Sequence, residues 1–598
     1  MFGIAQTSLD GMRYTKNSMS SKKRLRSAAP TPSQSPALHT LAGFPLRTVA
    51  AACPAVFVAL LWIYWPALHG RFVFDDLSLP FSKVIRNEPL TAWISGSRPV
   101  LMFSYWVNYR FWGIAPFSYH FVNLAIHFVN AGLVFLVLFQ LLTGAGWLRE
   151  RAGAASIAGA LIFALHPLQT ESVSYVAGRS ESLASLFLLL AYVAFLYRRN
   201  VSISWWEALL VLAPFGMAVG TKENAVSLAG ILVLTDLFWP TPFSIQGIKR
   251  NWRLYCLMAP GVMAAAFGVF RVLASSQTAG FSLVTYKWYQ YAFTEARALF
   301  SYVGLTIFPL GQSIDQDYAP SHSIMEHGAI FYMILLAGAV AAAVVWRRRY
   351  PLCCFGLLMF LVGLAPTSSI VPLDDALVER RMYLPLLGLI LIGCELASRA
   401  RISRATGACL FAFAALVLGK LTYDRNQLWG QPEKLMEMAA SAAVYNSRPL
   451  LNFTEILIRQ GRCDLAPAYL ERAERKLPNN YYVNAGWGRA LACLGHFDRA
   501  LERLQAAARI NPCSQVYEWI GLVRGQMGQV EEAGSALKKA VTLDPTSQSA
   551  HGSLALWFEE TNDLEAADRE YRAAISLDRY DSWAKTGFMR VRTKETGR

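Results

Sequence analysis

Long apolar stretches recur through the first two-thirds of this chain, and they constrain its fold more than any other feature. A helix needs about 20 apolar residues to cross a bilayer. Hydrophobic residues make up 54% of the 598 residues and charged residues 16%, whereas a soluble domain has roughly 45–50% and 25%. The sequence therefore predicts an all-α, polytopic membrane protein. Its eleven predicted spans lie near 48–68, 120–142, 153–168, 182–198, 205–222, 224–240, 254–274, 328–346, 352–372, 382–398 and 405–423.

Basic residues indicate how these spans are oriented, because cytoplasmic loops are enriched in Lys and Arg. The tail, residues 1–46, is rich in Ser, Pro and Lys, so we expect it to be disordered and cytoplasmic. The apolar run 292–310 is interpreted as a re-entrant or interfacial helix, since a full span there would move the basic loops 347–349 and 399–404 to the outside. This topology places the C-terminus outside. One basic segment, 379–381, is an exception on the outer side.

Charge and cysteine content argue against two classes of site. The formal net charge of +16 lies largely in the tail and in short loops, and no basic patch has interleaved aromatic residues, so no nucleic-acid partner is predicted. The nine cysteines show no CxxC pair and no metal-ligand spacing, and we expect most of them to pack.

The last third of the chain is repetitive. Pro478, Pro512 and Pro545 are 34 and 33 residues apart, and small residues keep the same spacing. This period resembles the tetratricopeptide repeat. We divide the chain into the tail (1–46), a transmembrane part (47–430) and a repeat domain (431–598), with repeats near 447–480, 481–513, 514–547 and 548–581 and a capping helix over 582–594. Such arrays form concave surfaces that bind peptides, and the alternative is a spacer or dimerisation arm.

Polar residues are concentrated on the predicted outer side of the membrane. The adjacent carboxylates Asp75 and Asp76 follow the first span in "FVFDDLSLPF". A charge at the membrane edge is costly, so such acids are candidates for function. Structural interpretations stay open, because His166 could end a helix and Lys222 with Glu223 could stabilise a turn. The other candidates on this side are Arg98, Glu171, Arg179, Glu181, Asp317, Asp375, Glu379, Arg380 and Arg381.

Four segments carry a resemblance to a known family. "FDD", "HPLQTESVSYVAGRSESL", "TKEN" and "PTSSIVPLDDALVERRMYLP", followed by the repeats, resemble the TMTC family of O-mannosyltransferases and their bacterial relatives. The resemblance implies a GT-C glycosyltransferase fold. It also implies transfer of a mannose-like sugar from a polyprenyl-phosphate carrier to Ser or Thr of exported proteins, with the protein acceptor on the repeats.

The residues suit this chemistry independently. A carboxylate can take the acceptor's proton as the hydroxyl attacks, and Asp75 or Asp76 is the predicted base of an inverting reaction. The departing phosphate needs positive charge, and the planar guanidinium of Arg binds phosphate oxygens in pairs. The predicted residues for the donor phosphate or carrier are Arg380, Arg381, Glu379, Arg179 and Lys222, with Glu379 orienting an arginine. The predicted supporting residues are His166, Glu171, Glu181, Glu223, Arg98, Asp375 and Asp317.

Other interpretations stay open at this point. The same fold could glycosylate a lipid or polysaccharide, with the repeats as an assembly platform. A non-catalytic membrane scaffold is another class, although a scaffold does not need the polar outer cluster. A transporter is not favoured, because no paired broken helices are evident. Two carboxylates could hold a divalent ion, but no ligand set is evident, and no metal site or other cofactor is predicted. The predicted location is a bacterial inner membrane with periplasmic repeats, or the endoplasmic reticulum membrane in a eukaryote.

Overall fold

A computed structural model describes residues 46–82, 86, 88–239, 243–275, 280, 287–578 and 581–596. The predicted disordered tail lies outside the described residues apart from position 46. Helices make up the regular structure of the described residues, which contain no β-strand. The all-α fold class predicted from the apolar pattern is therefore confirmed.

The membrane part is built from helices of very different lengths. They are α1 (Leu46–Leu68), α2 (Leu90–Ile94), α3 (Pro99–Trp112), α4 (Pro116–Gly144), α5 (Arg149–Leu165), α6 (Thr170–Val173), α7 (Arg179–Arg198), α8 (Trp205–Thr221), α9 (Ser227–Phe238), α10 (Gln246–Arg250), α11 (Trp252–Ser275), α12 (Trp288–Ile307), α13 (Ala329–Trp346), α14 (Pro351–Leu364), α15 (Leu386–Arg399) and α16 (Arg404–Trp429). Short 3-10 helices connect several of them, at Phe74–Ser78, Pro80–Ser82, Pro167–Gln169, Glu223–Val226, Glu326–Gly328 and Glu379–Met382.

Six helices among the described residues are long and apolar enough to cross a membrane, namely α1, α4, α7, α11, α13 and α16. A seventh span is possible if α5 and the segment Pro167–Val173, which meet at a bend of 53°, count as one. The predicted spans 205–222, 224–240, 352–372 and 382–398 contain helices of 17, 12, 14 and 14 residues. At a rise of about 1.5 Å per residue these helices are shorter than the bilayer core of roughly 30 Å. The count of eleven spans therefore stays a prediction. The run 292–310 falls mostly in α12, which is not among the candidate spans.

The outward faces of the long helices are apolar. Phe267 on α11, Phe331 on α13 and Phe413 on α16 are exposed aromatic side chains. Soluble monomers rarely expose apolar surface of this extent. Lipid is the environment that suits these faces, so the helices indicate an integral membrane protein.

The repeat domain is a series of helix pairs. Its helices are α17 (Pro432–Ala442), α18 (Arg448–Arg459), α19 (Ala466–Lys476), α20 (Tyr481–Cys493), α21 (Phe497–Ile510), α22 (Ser514–Gln526), α23 (Val530–Leu543), α24 (Gln548–Glu560), α25 (Leu564–Leu577) and α26 (Ser582–Thr596), with a 3-10 turn at Cys463–Leu465.

Small residues allow the paired helices to approach closely. A Cβ atom added at Gly488 would lie 2.5 Å from Leu504, and one at Gly521 would lie 2.6 Å from Leu537. The turn between the two helices of a pair uses the left-handed region, with a φ of 79° at Gly495 and 64° at Asn562. These turn positions favour glycine or asparagine, as the repeat pattern predicts.

A disulfide that the sequence did not predict joins Cys463 and Cys493. Cys463 begins the turn after α18 and Cys493 ends α20. The two residues are 30 positions apart and lack any recognisable spacing motif. Stacking of consecutive repeats brings them together, so the pairing depends on the solenoid and not on local sequence.

Candidate active site

Loops that the sequence predicts to lie on the outer side converge on a cavity of about 370 Å³. Its lining comes from five segments of the chain: 74–75, 171–175, 313–316, 375–380 and 448–452. Four of these segments belong to the membrane part, and the fifth is the start of the first repeat. The structure thus brings together polar residues that are as much as several hundred positions apart in sequence.

Asp75 is the exposed member of the carboxylate doublet. It follows Phe74, whose backbone has a φ of 48°, a conformation that is unfavourable for a bulky residue and often marks functional sites. The Asp75 N–H donates to the Tyr175 hydroxyl at 3.0 Å, and its carbonyl accepts from Ser78 at 2.8 Å. Its side-chain carboxylate accepts no hydrogen bond from any described residue and faces the cavity.

Asp76 points the other way and is fully buried. Its carboxylate accepts from the backbone N–H of Ala177 at 2.7 Å and from that of Val73 at 3.1 Å. Burial raises the pKa of Asp76 to about 7, although these backbone donors favour the charged form. Asp76 therefore connects the loop after α1 to the segment that precedes α7, and it does not line the cavity.

Arg380 lines the cavity and pairs with Glu171. The guanidinium forms an ion pair with Glu171, and the Arg380 backbone N–H donates to the same carboxylate at 2.9 Å. Glu171 is buried, whereas 26% of the Arg380 side chain is exposed. The Nε and Nη2 atoms of Arg380 donate to none of the described residues, so they can contact a ligand in the cavity.

The neighbouring Arg381 has a different environment. Only 9% of its side chain is exposed. It donates to the carbonyl oxygens of Ala376 at 3.1 Å and Asp375 at 2.6 Å, and it lies 3.8 Å from Glu295. Arg381 therefore braces the loop before α15 and does not line the cavity.

Glu379 does not orient either arginine, which corrects the role predicted for it. Its carboxylate accepts from the side chains of Gln312 and Gln316, both at 2.7 Å, and from the Ser313 N–H at 2.8 Å. Burial raises the pKa of Glu379, and the charge of Arg425 opposes that shift. Glu379 thus holds the loop 311–316 against the cavity, and Glu171 is the partner of Arg380.

The other predicted basic residues lie outside the cavity lining. Arg179 is fully buried and donates to Asn123 at 2.7 Å and to Asn108 at 2.8 Å. It also stacks 4.6 Å from the centre of the Tyr105 ring. Through these contacts Arg179, at the start of α7, holds α3 against α4.

Two further ion pairs are formed by predicted site residues that do not line the cavity. Lys222 pairs with Glu181, and Arg98 donates to Glu223 at 2.8 Å. The first pair joins the start of α7 to the end of α8, and the second joins residues 125 positions apart. The charge of Glu181 also acts on Arg380. The pairs therefore border the site.

Two predicted supporting residues have structural contacts. His166 ends α5, and its Nε2 lies 2.9 Å from the Thr306 carbonyl, so this nitrogen donates. The other ring nitrogen accepts from the Leu168 N–H at 3.2 Å. Asp317 accepts from the backbone N–H groups of Tyr445 at 2.8 Å and Asn446 at 2.6 Å, before the first repeat.

Sequence reasoning missed two charged residues that line the cavity, Asp315 and Arg448. Arg448 donates to Asp315 at 2.7 Å and to Asp375 at 2.6 Å. The segment "SIDQDYAPSHS" signalled a polar loop, but nothing local distinguished Asp315 from Asp317. Arg448 belongs to the repeats, and only their packing places it here.

The carboxylates that line the cavity differ in whether a basic side chain pairs with them. Glu171 is neutralised by Arg380, and Asp315 and Asp375 share Arg448. Among the lining carboxylates that the structure describes, Asp75 is the one left without a basic or hydrogen-bonding partner. Within the described part of the chain, no group of three or more His, Cys, Asp or Glu side chains is arranged to hold a metal ion.

Comparison with curated proteins finds sequence relatives of this chain. Protein O-mannosyl-transferase TMTC3 of Mus musculus is 23% identical over 627 aligned residues, which cover 92% of this chain and 65% of that protein. The chain is TMTC-like. The TMTC-like chain thus spans about 65% of the length of this relative. Protein O-mannosyl-transferase Tmtc1 of Drosophila melanogaster is 33% identical over a shorter region, which covers 32% of this chain and 23% of that protein.

The repeat domain of the TMTC-like chain has its own matches. A tetratricopeptide-repeat family model matches residues 514–547, the bounds of the third predicted repeat. The crystal structure of a thermophilic TPR protein from Thermus thermophilus is 18% identical and covers 32% of this chain and 96% of that chain, with a TM-score of 0.26.

Proposed function

We propose that this chain is an integral-membrane glycosyltransferase of the GT-C type. It transfers a mannose-like sugar from a polyprenyl-phosphate carrier to Ser or Thr hydroxyls of exported proteins. The observation that carries the proposal is one cavity that combines an unpaired carboxylate, Asp75, with a partly exposed guanidinium, Arg380. The names of the relatives, protein O-mannosyl-transferases, support the same reaction class.

In the proposed reaction Asp75 acts as the general base. Its carboxylate takes the proton of the acceptor hydroxyl while the hydroxyl oxygen attacks the anomeric carbon of the sugar. The bond between that carbon and the phosphate oxygen breaks, and its electron pair leaves with the carrier phosphate. A single displacement of this kind inverts the anomeric configuration.

Arg380 stabilises the leaving group in this proposal. Its free Nε and Nη2 atoms form a fork that matches two phosphate oxygens. The ion pair with Glu171 fixes the guanidinium before the donor binds. Preorganised positive charge at the developing phosphate is often the largest catalytic contribution.

The disulfide supports an extracytoplasmic position for the repeats. Disulfides persist in the periplasm, in the endoplasmic reticulum lumen and outside cells, and they are rare in the cytosol. Cys463–Cys493 in the repeats therefore agrees with the orientation proposed from the basic loops, with the N-terminus cytoplasmic.

Two other functions stay open under this architecture. A lipid or polysaccharide acceptor would use the same donor chemistry, and a scaffold would use none. The lining contributed by the first repeat favours a protein acceptor, because a peptide bound to the repeats would lie beside Asp75 and Arg380.

Glycan mass spectrometry of exported proteins tests the proposed function. Cells with and without the gene product are compared, and the proposal predicts Ser- or Thr-linked hexose on peptides that only the first sample contains. Identical protein glycans together with an altered glycolipid or polysaccharide would contradict the protein acceptor. No change in any glycan would contradict the transferase itself.

A further inference from the structure

The first repeat is fastened to the membrane part beside the cavity. The Asp317 carboxylate accepts from consecutive backbone N–H groups of Val444, Tyr445 and Asn446. Immediately afterwards Arg448 bridges Asp315 and Asp375, which lie on separate loops. These contacts fix the start of α18 at the cavity wall, so the first repeat is part of the site.

Asn452 lies one helical turn after Arg448, on the same face of α18. It lines the cavity and is half-buried. Its side-chain amide forms no hydrogen bond with any described residue. The other amide in the lining, Gln316, is already bound to Glu379 at 2.7 Å. Asn452 therefore presents an available neutral donor and acceptor to the cavity.

The sequon Asn452-Phe453-Thr454 does not explain this residue as a glycosylation site. Phe453 and Thr454 are buried in the middle of α18. The Thr454 hydroxyl donates to the Leu450 carbonyl at 2.8 Å. A sequon enclosed in a packed helix is inaccessible to a modifying enzyme after folding.

We infer that Asn452 is an acceptor-binding residue that pairs with the backbone of an extended peptide whose hydroxyl is presented to Asp75. This inference rests on the proposed function and names how its acceptor is held. A primary amide offers N–H donors and a carbonyl acceptor, which complement the C=O and N–H of one peptide unit. Sugar hydroxyls of the donor could pair with the same amide, and separate KM values for the peptide and the donor distinguish the two. Backbone pairing also tolerates varied side chains around the modified Ser or Thr.

Peptide binding and transfer by the purified full chain test this inference. The probes are a fluorescent, uncharged Ser/Thr peptide of about ten residues and the same peptide N-methylated on its backbone. Asn452→Ala should weaken binding of the first peptide and raise its KM by roughly tenfold, as expected for a lost buried hydrogen bond. The KM for polyprenyl-phosphate mannose should stay within about twofold. Asn511→Ala, at an exposed asparagine between α21 and α22, is the matched control and should change neither value.

Backbone N-methylation makes the test specific. It should weaken binding to the unaltered chain about as much as Asn452→Ala does, and the two changes together should add little, because they remove the same interaction. Unchanged peptide affinity in Asn452→Ala, or full additivity with N-methylation, would overturn the inference. If Asn452→Ala weakens peptide binding but the unaltered chain transfers no sugar, the proposed function fails and the peptide site stands.

Discussion

An exposed ion pair on the surface of the repeats and a buried ion pair at the cavity use the same residue types in opposite ways. Arg569 and Glu565 are four residues apart on α25, and their side chains are 65% and 85% exposed. Arg380 and Glu171 are 209 positions apart, and 2% of the Glu171 side chain is exposed. An exposed pair on one helix contributes about 0.3–0.5 kcal/mol. Removing one partner of a buried pair typically costs about 3–5 kcal/mol, because the other charge is left uncompensated.

This difference indicates that charged residues at the cavity are more important for function than those on the surface of the repeats. On the repeat surface it keeps helices solvated, and single pairs are dispensable. At the cavity each pair joins segments that are distant in sequence, and the pairing leaves Asp75 free.

Replacing the unpaired carboxylate should have the largest consequence. Asp75→Asn keeps the shape of the side chain but cannot accept the hydroxyl proton, so the transfer rate should fall by roughly 10²–10⁴. Thermal stability in detergent should be unchanged, since the carboxylate has no partner. Asp498→Asn, in the first turn of α21, is the control in the repeats. A transfer rate in Asp75→Asn equal to that of the control would remove Asp75 from the mechanism.

Loss of the disulfide should destabilise the repeats without touching the cavity. Cys463→Ser removes a cross-link that closes a loop of 30 residues, which is expected to cost about 3–4 kcal/mol. Thermal unfolding of the repeats measures this cost, and Cys513→Ser serves as a control because Cys513 is a free cysteine in the same domain. Thiol alkylation with mass spectrometry of the native chain should find Cys463 and Cys493 protected until a reductant is added. Two reactive thiols there would contradict an oxidising compartment.

Arginine at the cavity should not be replaceable by lysine. Arg380→Lys keeps the charge but loses the planar fork, so affinity for the lipid-linked donor should fall by roughly tenfold to a hundredfold, or about 1.5–3 kcal/mol. Arg569→Lys should leave donor affinity unchanged. Donor binding by purified variants measures both. Donor binding by Arg380→Lys at the unaltered affinity would show that the phosphate is held elsewhere.

Asp76 should affect how the free energy of unfolding depends on pH, and it has no direct role in the proposed reaction. Folding raises the pKa of Asp76 from 3.8 to about 7, so the folded state binds this proton more tightly than the unfolded state does. The stability that this proton provides is present below about pH 4 and is lost as the pH rises toward about 7. The free energy of unfolding of the native chain, measured relative to Asp76→Asn, should therefore decrease by about 2 kcal/mol between pH 5 and pH 7. A difference that is constant with pH would contradict the assignment.

The repeats were predictable from sequence because their structure is local and periodic. Gly495 and Asn562 mark turns that need positive φ, and Ala500 and Ala507 fill the close contacts between helices. Several residues that line the cavity, such as Asp75 and Arg380, were also predicted as candidates because they follow or precede apolar runs. The orientation of the spans stays a prediction. However, the sequence could not show which of the adjacent residues Asp75 and Asp76 faces the cavity. The 3-10 turn after Phe74 sends Asp76 inward and leaves Asp75 exposed, and both outcomes fit the same letters.

Other features depended on contacts between distant segments. The choice between Arg380 and Arg381 is made by a 3-10 helix, Glu379–Met382, that turns one arginine to the cavity and the other to Glu295. Arg448 and Asn452 join the site only because the first repeat packs on the loops of the membrane part. The number of spans could not be fixed from sequence because helices such as α9, with 12 residues, are shorter than their apolar runs.

The most direct test of the account is sugar transfer by the purified full chain reconstituted in liposomes. Polyprenyl-phosphate mannose is supplied together with a Ser/Thr peptide, and the peptide mass and the remaining donor are measured by mass spectrometry. We expect the peptide to gain a single hexose, the lipid-linked donor to be consumed, and the sugar–peptide bond to have the inverted anomeric configuration. Intact donor and unmodified peptide in the presence of folded protein would contradict the proposed transferase activity.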